Sequence, residues 1–385
     1  MLFDPATHEP VLEEAWDPER IRSAIREIAD DAESAYDDGW TIHPQDIEDA
    51  SEEGRRFRGV YLGGAGVIRA LAELQERGLV ELRRDYVPYL EREYVPDSPE
   101  DAPGRGLLAG ETGIRLVLQR LSPSAENAER LAELIAANEQ DERRDLLWGS
   151  PGTMVAAAEL HRQTGEPRWL GLWRSGAAWL NDEWDPESEV WTQRIVGKDA
   201  QYLGPAHGFA GCALALAAGG DESIGTRAAA VLRRYAVEED GLANWPPGAG
   251  DGLKPSPHQP IRVQWCHGAA GMVTSLASLA LDDAAHERLL LAGAELVWRA
   301  GPLAKGAGLC HGTAGNGYAF LAVLRRTGDE RWLERSRAFA LHAAAQVAAA
   351  RERFGSGRHS LWTGDLGTAL YLADCLAGEG TLPLP

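Results

Sequence analysis

The sequence predicts an all-α protein folded as an α/α toroid, a double-layered barrel of seven inner helices ringed by outer ones. Two observations predict it: a turn repeated seven times, and the distribution of apolar residues after each copy. The turn has the form apolar-x-G-x-x-G-apolar. It reads YLGGAGV from 61, LLAGETGI from 107, LLWGSPGTM from 146, GPAHGFAGCAL from 204, WCHGAAGM from 265, LCHGTAGNGYAF from 309 and LWTGDLGTAL from 361. The first glycines of the copies, Gly63, Gly110, Gly149, Gly208, Gly268, Gly312 and Gly364, stand 47, 39, 59, 60, 44 and 52 residues apart. Each interval has room for two helices and their loops.

An alanine-rich run with helical spacing follows the turns, as in TMVAAAELHRQ, CALALAAGG, MVTSLASLAL and GYAFLAVLRRTG. These runs are apolar on nearly every side, which marks buried helices. A second helix follows most of them and carries one charged face: PRWLGLWRSGAAWLND, SIGTRAAAVLRRYAV, AAHERLLLAGAELVWRA and ERWLERSRAFALHAAAQVAAARERF. An inner and an outer ring result. Glycine permits the tight entry into each inner helix and lets neighbouring helix starts approach closely. All seven turns then gather at one end of the barrel, where unpaired N–H groups and helix dipoles favour anions or thiolates. The two longest intervals leave loops at 185–206 and 236–264. In the first, PESEVWTQRIVGKD alternates as a short hairpin would; in the second, NWPPGAGDGLKPSPHQP is rich in proline and glycine and reads as irregular. Both lead into turns that carry reactive residues, so they read as walls of a cleft within one domain spanning 1–385.

Composition narrows the function. Hydrophobic residues at 44% and charged residues at 25% are globular values. A net charge of -21 argues against nucleic acid or an anionic membrane as partner, since either requires basic patches. Much of the acid precedes Gly54, on segments read as solvated faces and loops. No run approaches the roughly 20 apolar residues of a membrane helix and no targeting signal opens the chain, so a cytoplasmic location is expected. Four scattered cysteines, Cys212, Cys266, Cys310 and Cys375, are too few for a disulfide framework and read as free thiols or metal ligands.

The chemistry concentrates in the turns. Cys266, Cys310 and His311 fall at the mouths of two successive inner helices and make a Cys2His set, which suits zinc with one coordination position open. A buried core thiol is the plainer reading of either cysteine alone, but the duplicated C-H-G-x-x-G favours a metal site. His267 flanks Cys266 as His311 flanks Cys310 and would instead make a closed, structural Cys2His2 set. His207 occupies the slot before the fourth motif glycine and is a candidate proton carrier. Asp145, four residues before Gly149, is placed to orient it. Arg262, four before Cys266, is placed to stabilise developing negative charge. Cys212 and Cys375 read as core residues, and Trp148, Trp265 and Trp362 as packing of the barrel end. A glycosidase reading has Glu111, Asp145 and Asp365 available, yet it leaves both Cys-His pairs unexplained.

YLGPAHGFAG, NWPP, QWCHGAAG and GLCHGTAGN, set in seven G-x-x-G turns across the full length, resemble the lanthionine synthetase C-like (LanC-like) family. The resemblance implies an α/α toroid with one zinc held by Cys266, Cys310 and His311, siding with the open site. It implies His207, Asp145 and Arg262 as catalytic residues. The implied reaction is addition of a thiol, from a peptide cysteine or glutathione, across the double bond of dehydroalanine or dehydrobutyrine to give a thioether. The implied partners are a dehydroamino-acid-containing peptide or protein and glutathione. No interval holds the inserted β domain of dedicated lantibiotic cyclases, and the YLGPAHG, NWPP and Cys266-His267 segments look closer to the eukaryotic branch. The alternative is a zinc-containing glutathione- or peptide-binding protein without turnover.

Overall fold

The computed structural model describes residues 2–250, 260–279 and 283–384, so part of the expected loop at 236–264 lies outside the described residues. In chain order the helices and strands are α1 (Pro18–Ser34), α2 (Gly64–Glu76), α3 (Val87–Leu90), α4 (Glu111–Leu121), α5 (Ala125–Ala137), α6 (Ser150–Thr164), α7 (Pro167–Asp182), β1 (Gln193–Ile195) and β2 (Lys198–Ala200). Then come α8 (Phe209–Ala218), α9 (Ile224–Tyr235), β3 (Val237–Glu239), β4 (Leu242–Asn244), α10 (Ala269–Leu276), α11 (Ala284–Ala300), α12 (Thr313–Thr327), α13 (Arg331–Phe354) and α14 (Asp365–Ala377). No helix among the described residues is long and apolar enough to cross a membrane.

Every first motif glycine is the residue that caps the start of an even-numbered helix, from Gly63 at α2 to Gly364 at α14. Those seven helices pack in sequence, and α14 returns against α2 to close the inner ring. Odd-numbered helices cover them: α5 on α4, α7 on α6, α9 on α8, α11 on α10 and α13 on α12. The first interval departs from the two-helix expectation, because its outer helix is the single turn α3. Helix α1, ahead of the first motif, packs on α14 and completes the outer layer where the ring closes.

Backbone hydrogen bonds tie the turns together at the barrel end. Tyr61 N donates to Leu108 O (2.8 Å), Leu108 N to Leu147 O (3.1 Å), Leu146 N to Ala206 O (3.2 Å), Cys266 N to Cys310 O (3.1 Å) and Cys310 N to Trp362 O (2.8 Å). Trp362 N donates to Tyr61 O at 3.2 Å, which joins the last turn to the first. Such close approach requires glycine. A Cβ on Gly66 would overlap the Val60 carbonyl and stand 2.8 Å from Leu361 Cβ, across the ring closure. Both expected loops lead into this face. The first forms the expected hairpin, β1 with β2. The second begins with a hairpin the sequence reading missed, β3 with β4.

Candidate metal centre and histidine–aspartate dyad

The sulfur cluster is assembled from the fifth and sixth turns. Gln264 and His267 exchange backbone hydrogen bonds (3.1 and 3.2 Å), making a tight loop with Cys266 inside it. Gly268 ends that loop at φ +101, and a Cβ there would overlap the Arg262 carbonyl. Asn244, at the end of β4, buckles the loop to its surroundings. Its Oδ1 accepts Ala269 N (2.7 Å) and Trp245 N (2.9 Å), and its Nδ2 donates to Leu2 O (2.7 Å) and Arg262 O (3.3 Å). Asn316, one turn into α12, donates to Val263 O at 2.8 Å. The helix carrying the Cys310-His311 turn therefore holds the strand leading to Cys266.

The result is convergence: the ligating atoms of Cys266, Cys310 and His311 lie within 4.8 Å of one another. Cys266 and Cys310 are buried and His311 half-buried. Hydrogen bonding with the Cys310 thiol holds Cys266 well below the ordinary thiol range, burial opposing it and His311 helping. The same hydrogen bond and burial hold Cys310 well above that range.

Two side chains that the sequence reading did not single out donate to these sulfurs. Gln264 Nε2 is 2.9 Å from Cys266 Sγ. The Tyr61 hydroxyl, from the first turn, hydrogen-bonds Cys310 across the ring closure. Trp265 and Trp362 are fully buried with ring centroids 4.5 Å apart, and Tyr61 stacks on Trp362. They pack the barrel end as expected and wall the cluster with apolar surface. Beside the Cys310 loop a cavity of about 230 Å³ is lined by Lys305, Gly308, Arg358 and Thr363.

The third and fourth turns supply the dyad. Asp145 is completely buried, and its Oδ1 accepts the amides of Trp148 and Gly149, both at 2.8 Å. This fixes the carboxylate at the start of α6 and leaves Oδ2 for His207 Nδ1, 2.7 Å away. Burial draws the His207 pKa down, but the hydrogen bond and charge of Asp145, with a further contribution from Cys266, outweigh it and raise the value above 6.5. With Nδ1 engaged, Nε2 is the nitrogen left for other chemistry. The Trp148 indole stacks on the His207 ring (5.4 Å, 20°), and its Nε1 donates to Asp101 Oδ1 at 2.8 Å.

The remaining expected residues are also located. Arg262 is exposed at the start of the Cys266 loop and has no ion-pair partner among the described residues. His267 is half-buried; burial lowers its pKa, and its Nδ1 has no hydrogen-bond partner among the described residues. It is not in the converging set. Cys212 and Cys375 are buried thiols whose pKa burial raises, that of Cys375 to about 12.

An α/α toroid with two cysteines and a histidine converging at its glycine-turn end, beside a histidine hydrogen-bonded to a buried aspartate, defines the class of protein. The family described as "Lanthionine synthetase C-like protein" matches residues 58–383, and the chain belongs to that family. It is 32% identical over 191 residues to "Glutathione S-transferase LANCL1" of Danio rerio, covering 46% of this chain and 43% of the relative. It is 46% identical over 82 residues to "LanC-like protein GCL1" of Arabidopsis thaliana, covering 20% of this chain and 18% of the relative. The matches thus span less than half the length of these relatives. Among solved structures, "Nisin cyclase" superposes with a TM-score of 0.61 at 15% identity, over 82% of this chain and 88% of that one, which shows a shared fold.

Proposed function

We propose that this chain, acting as one domain, is a zinc-dependent enzyme that adds a thiol to a dehydroalanine or dehydrobutyrine residue and forms a thioether. The observation carrying this reading is the convergence of Cys266, Cys310 and His311 beside the His207–Asp145 pair. The donor set fits zinc: two sulfurs and an imidazole whose span one ion can bridge at about 2.3 Å to sulfur and about 2 Å to nitrogen, leaving a position free. A zinc ion bound there supplies Lewis acidity that makes a thiol substrate available as thiolate at neutral pH.

The chain's residues account for the rest. The buried rings of Trp265 and Trp362, with Tyr61 stacked on Trp362, keep water that would compete for the acceptor away from the cluster. Sulfur attacks the β-carbon, a C–S bond forms, and the double-bond electrons move to the α-carbon and its carbonyl as an enolate. Arg262, lacking a carboxylate partner among the described residues, offers positive charge to that oxygen. His207, raised in pKa by Asp145, delivers a proton from Nε2 to the α-carbon and completes the addition of S and H. Lys305 in the adjoining cavity suits a carboxylate-bearing thiol. The name of the LANCL1 relative supports glutathione as that thiol, and the fold shared with a cyclase supports a peptide acceptor.

The test is incubation of zinc-loaded protein with glutathione and a dehydroalanine peptide, followed by mass spectrometry. The expected result is a thioether adduct lost in His207→Ala. Tight binding of both substrates with no adduct would leave a binding protein and overturn the enzymatic reading.

A further inference from the structure

A groove lies on the dyad side of the motif face. Its volume is about 690 Å³, between the segment Pro99–Arg105, the turn before Asp145 and the β1–β2 hairpin. Trp148 lines it, and this same indole stacks on His207 while Asp101 holds its Nε1. An occupant of the groove therefore touches the side chain that touches the candidate catalytic histidine.

The hairpin at the groove's lip carries the clearest signal. Ile195 pairs with Lys198, leaving the two-residue turn Val196-Gly197 with φ +50 and +70. Positive φ at both positions is the type I′ pattern, which favours Asn-Gly or Asp-Gly and disfavours a β-branched residue at the first position. The β3–β4 hairpin has the same turn and uses the favoured pair, Asp240-Gly241, at φ +52 and +77. Val196 gains nothing from the core, since it is 70% exposed, one of two large hydrophobics so exposed among the described residues. A strained, exposed apolar side chain at the edge of a groove is explained by a partner that covers it. The groove's charge points the same way. Arg143 pairs with Asp141, and Arg194 with both Glu142 and Asp199, but Arg105 donates only to the Ala137 carbonyl and has no carboxylate partner among the described residues. In a chain of net charge -21, this leaves the Arg105 guanidinium as a cation open to an acidic partner.

We propose that this groove binds the acceptor polypeptide as an extended segment, with an apolar side chain on Val196 and an acidic one on Arg105, so that its dehydroamino acid reaches His207 past Trp148. The proposal rests on the reaction proposed above and adds the acceptor's seat and its sequence preference.

The experiment uses fluorescein-labelled nonapeptides with a central dehydroalanine, in acidic and basic versions, read by anisotropy on the zinc-loaded protein without thiol. Val196→Asn restores the favoured turn residue, so it should keep or raise Tm while weakening the acidic peptide about tenfold, the scale of one lost apolar anchor. Arg105→Gln should abolish the preference for the acidic over the basic peptide. With glutathione added, both variants should raise KM and leave kcat unchanged. Absence of saturable binding by the wild type, or unchanged affinity and KM in both variants, overturns the groove. Peptide binding that responds to the variants without any thioether formed would instead overturn the reaction and leave the groove standing.

Discussion

On one side of the motif face, turns three and four bring Asp145 against His207; on the other, turns five and six bring Cys266 against Cys310 and His311. Asp145 finds all its partners within the fold: the carboxylate accepts from two amides and pairs with the His207 imidazole. The sulfur cluster is different. Its sulfurs are approached by a tyrosine hydroxyl, a carboxamide and the His311 imidazole, with no lysine or arginine bonded to either sulfur among the described residues. The difference teaches that the first side finds its hydrogen-bond partners within the fold, whereas the second groups donor atoms that one cation could bridge, as the proposed function requires.

The sharpest way to break this comparison is to remove one ligand. Cys310→Ala should take the protein from about one zinc per chain to almost none by elemental analysis, with adduct formation lost, while helical circular dichroism stays. Retention of stoichiometric zinc would refute the ligand assignment.

His207→Ala should do the reverse, keeping zinc and lowering kcat by about 10²–10⁴-fold, the usual worth of a positioned acid. The pH profile sharpens the point. His207 has a folded pKa raised above 6.5, so its proton, and the stability of its pair with Asp145, are fully present at lower pH and lost as pH rises through the raised value. Activity should show an alkaline limb there. Asp145→Asn removes the cause of the elevation and should move the limb to lower pH. The other charged groups sensed near His207 are Cys266 and His267, so zinc content must be matched when profiles are compared. An unmoved limb would assign it to another group.

Next in size are the two donors to sulfur. Tyr61→Phe and Gln264→Ala should each weaken zinc about 10–100-fold in competition with a chromogenic chelator, the range for partners that orient metal ligands. Unchanged affinity would make both contacts packing alone. Smallest is Asn244→Ala, which leaves Ala269 N and Leu2 O without their partner and should cost about 1–3 kcal/mol of stability in denaturant unfolding. A midpoint shift below that range would return the Cys266 loop's rigidity to its backbone turn.

The ring was readable in the sequence because its signal is local: a glycine at each inner-helix entry, followed by an all-apolar run. The converging cysteines and histidine were readable for the same reason, as two copies of one short pattern in adjacent turns. Tyr61 was hidden because it meets Cys310 only where the last turn closes on the first. Asn244 and Asn316 stood inside quoted signatures, NWPP and GLCHGTAGN, yet nothing local shows that an amide will tie down a strand 18 or 53 residues away. The β3–β4 hairpin carried a strong local mark, Asp240-Gly241, which the proline-rich stretch after it obscured.

The most direct test of the central claim is cobalt substitution. Co2+ bound to the purified chain should give the intense visible absorption of a tetrahedral ion with two thiolate ligands, and glutathione should strengthen the sulfur-to-metal charge-transfer band as a third sulfur enters the open position. A weak spectrum of octahedral character, or a tetrahedral one that glutathione leaves unchanged, would contradict the account.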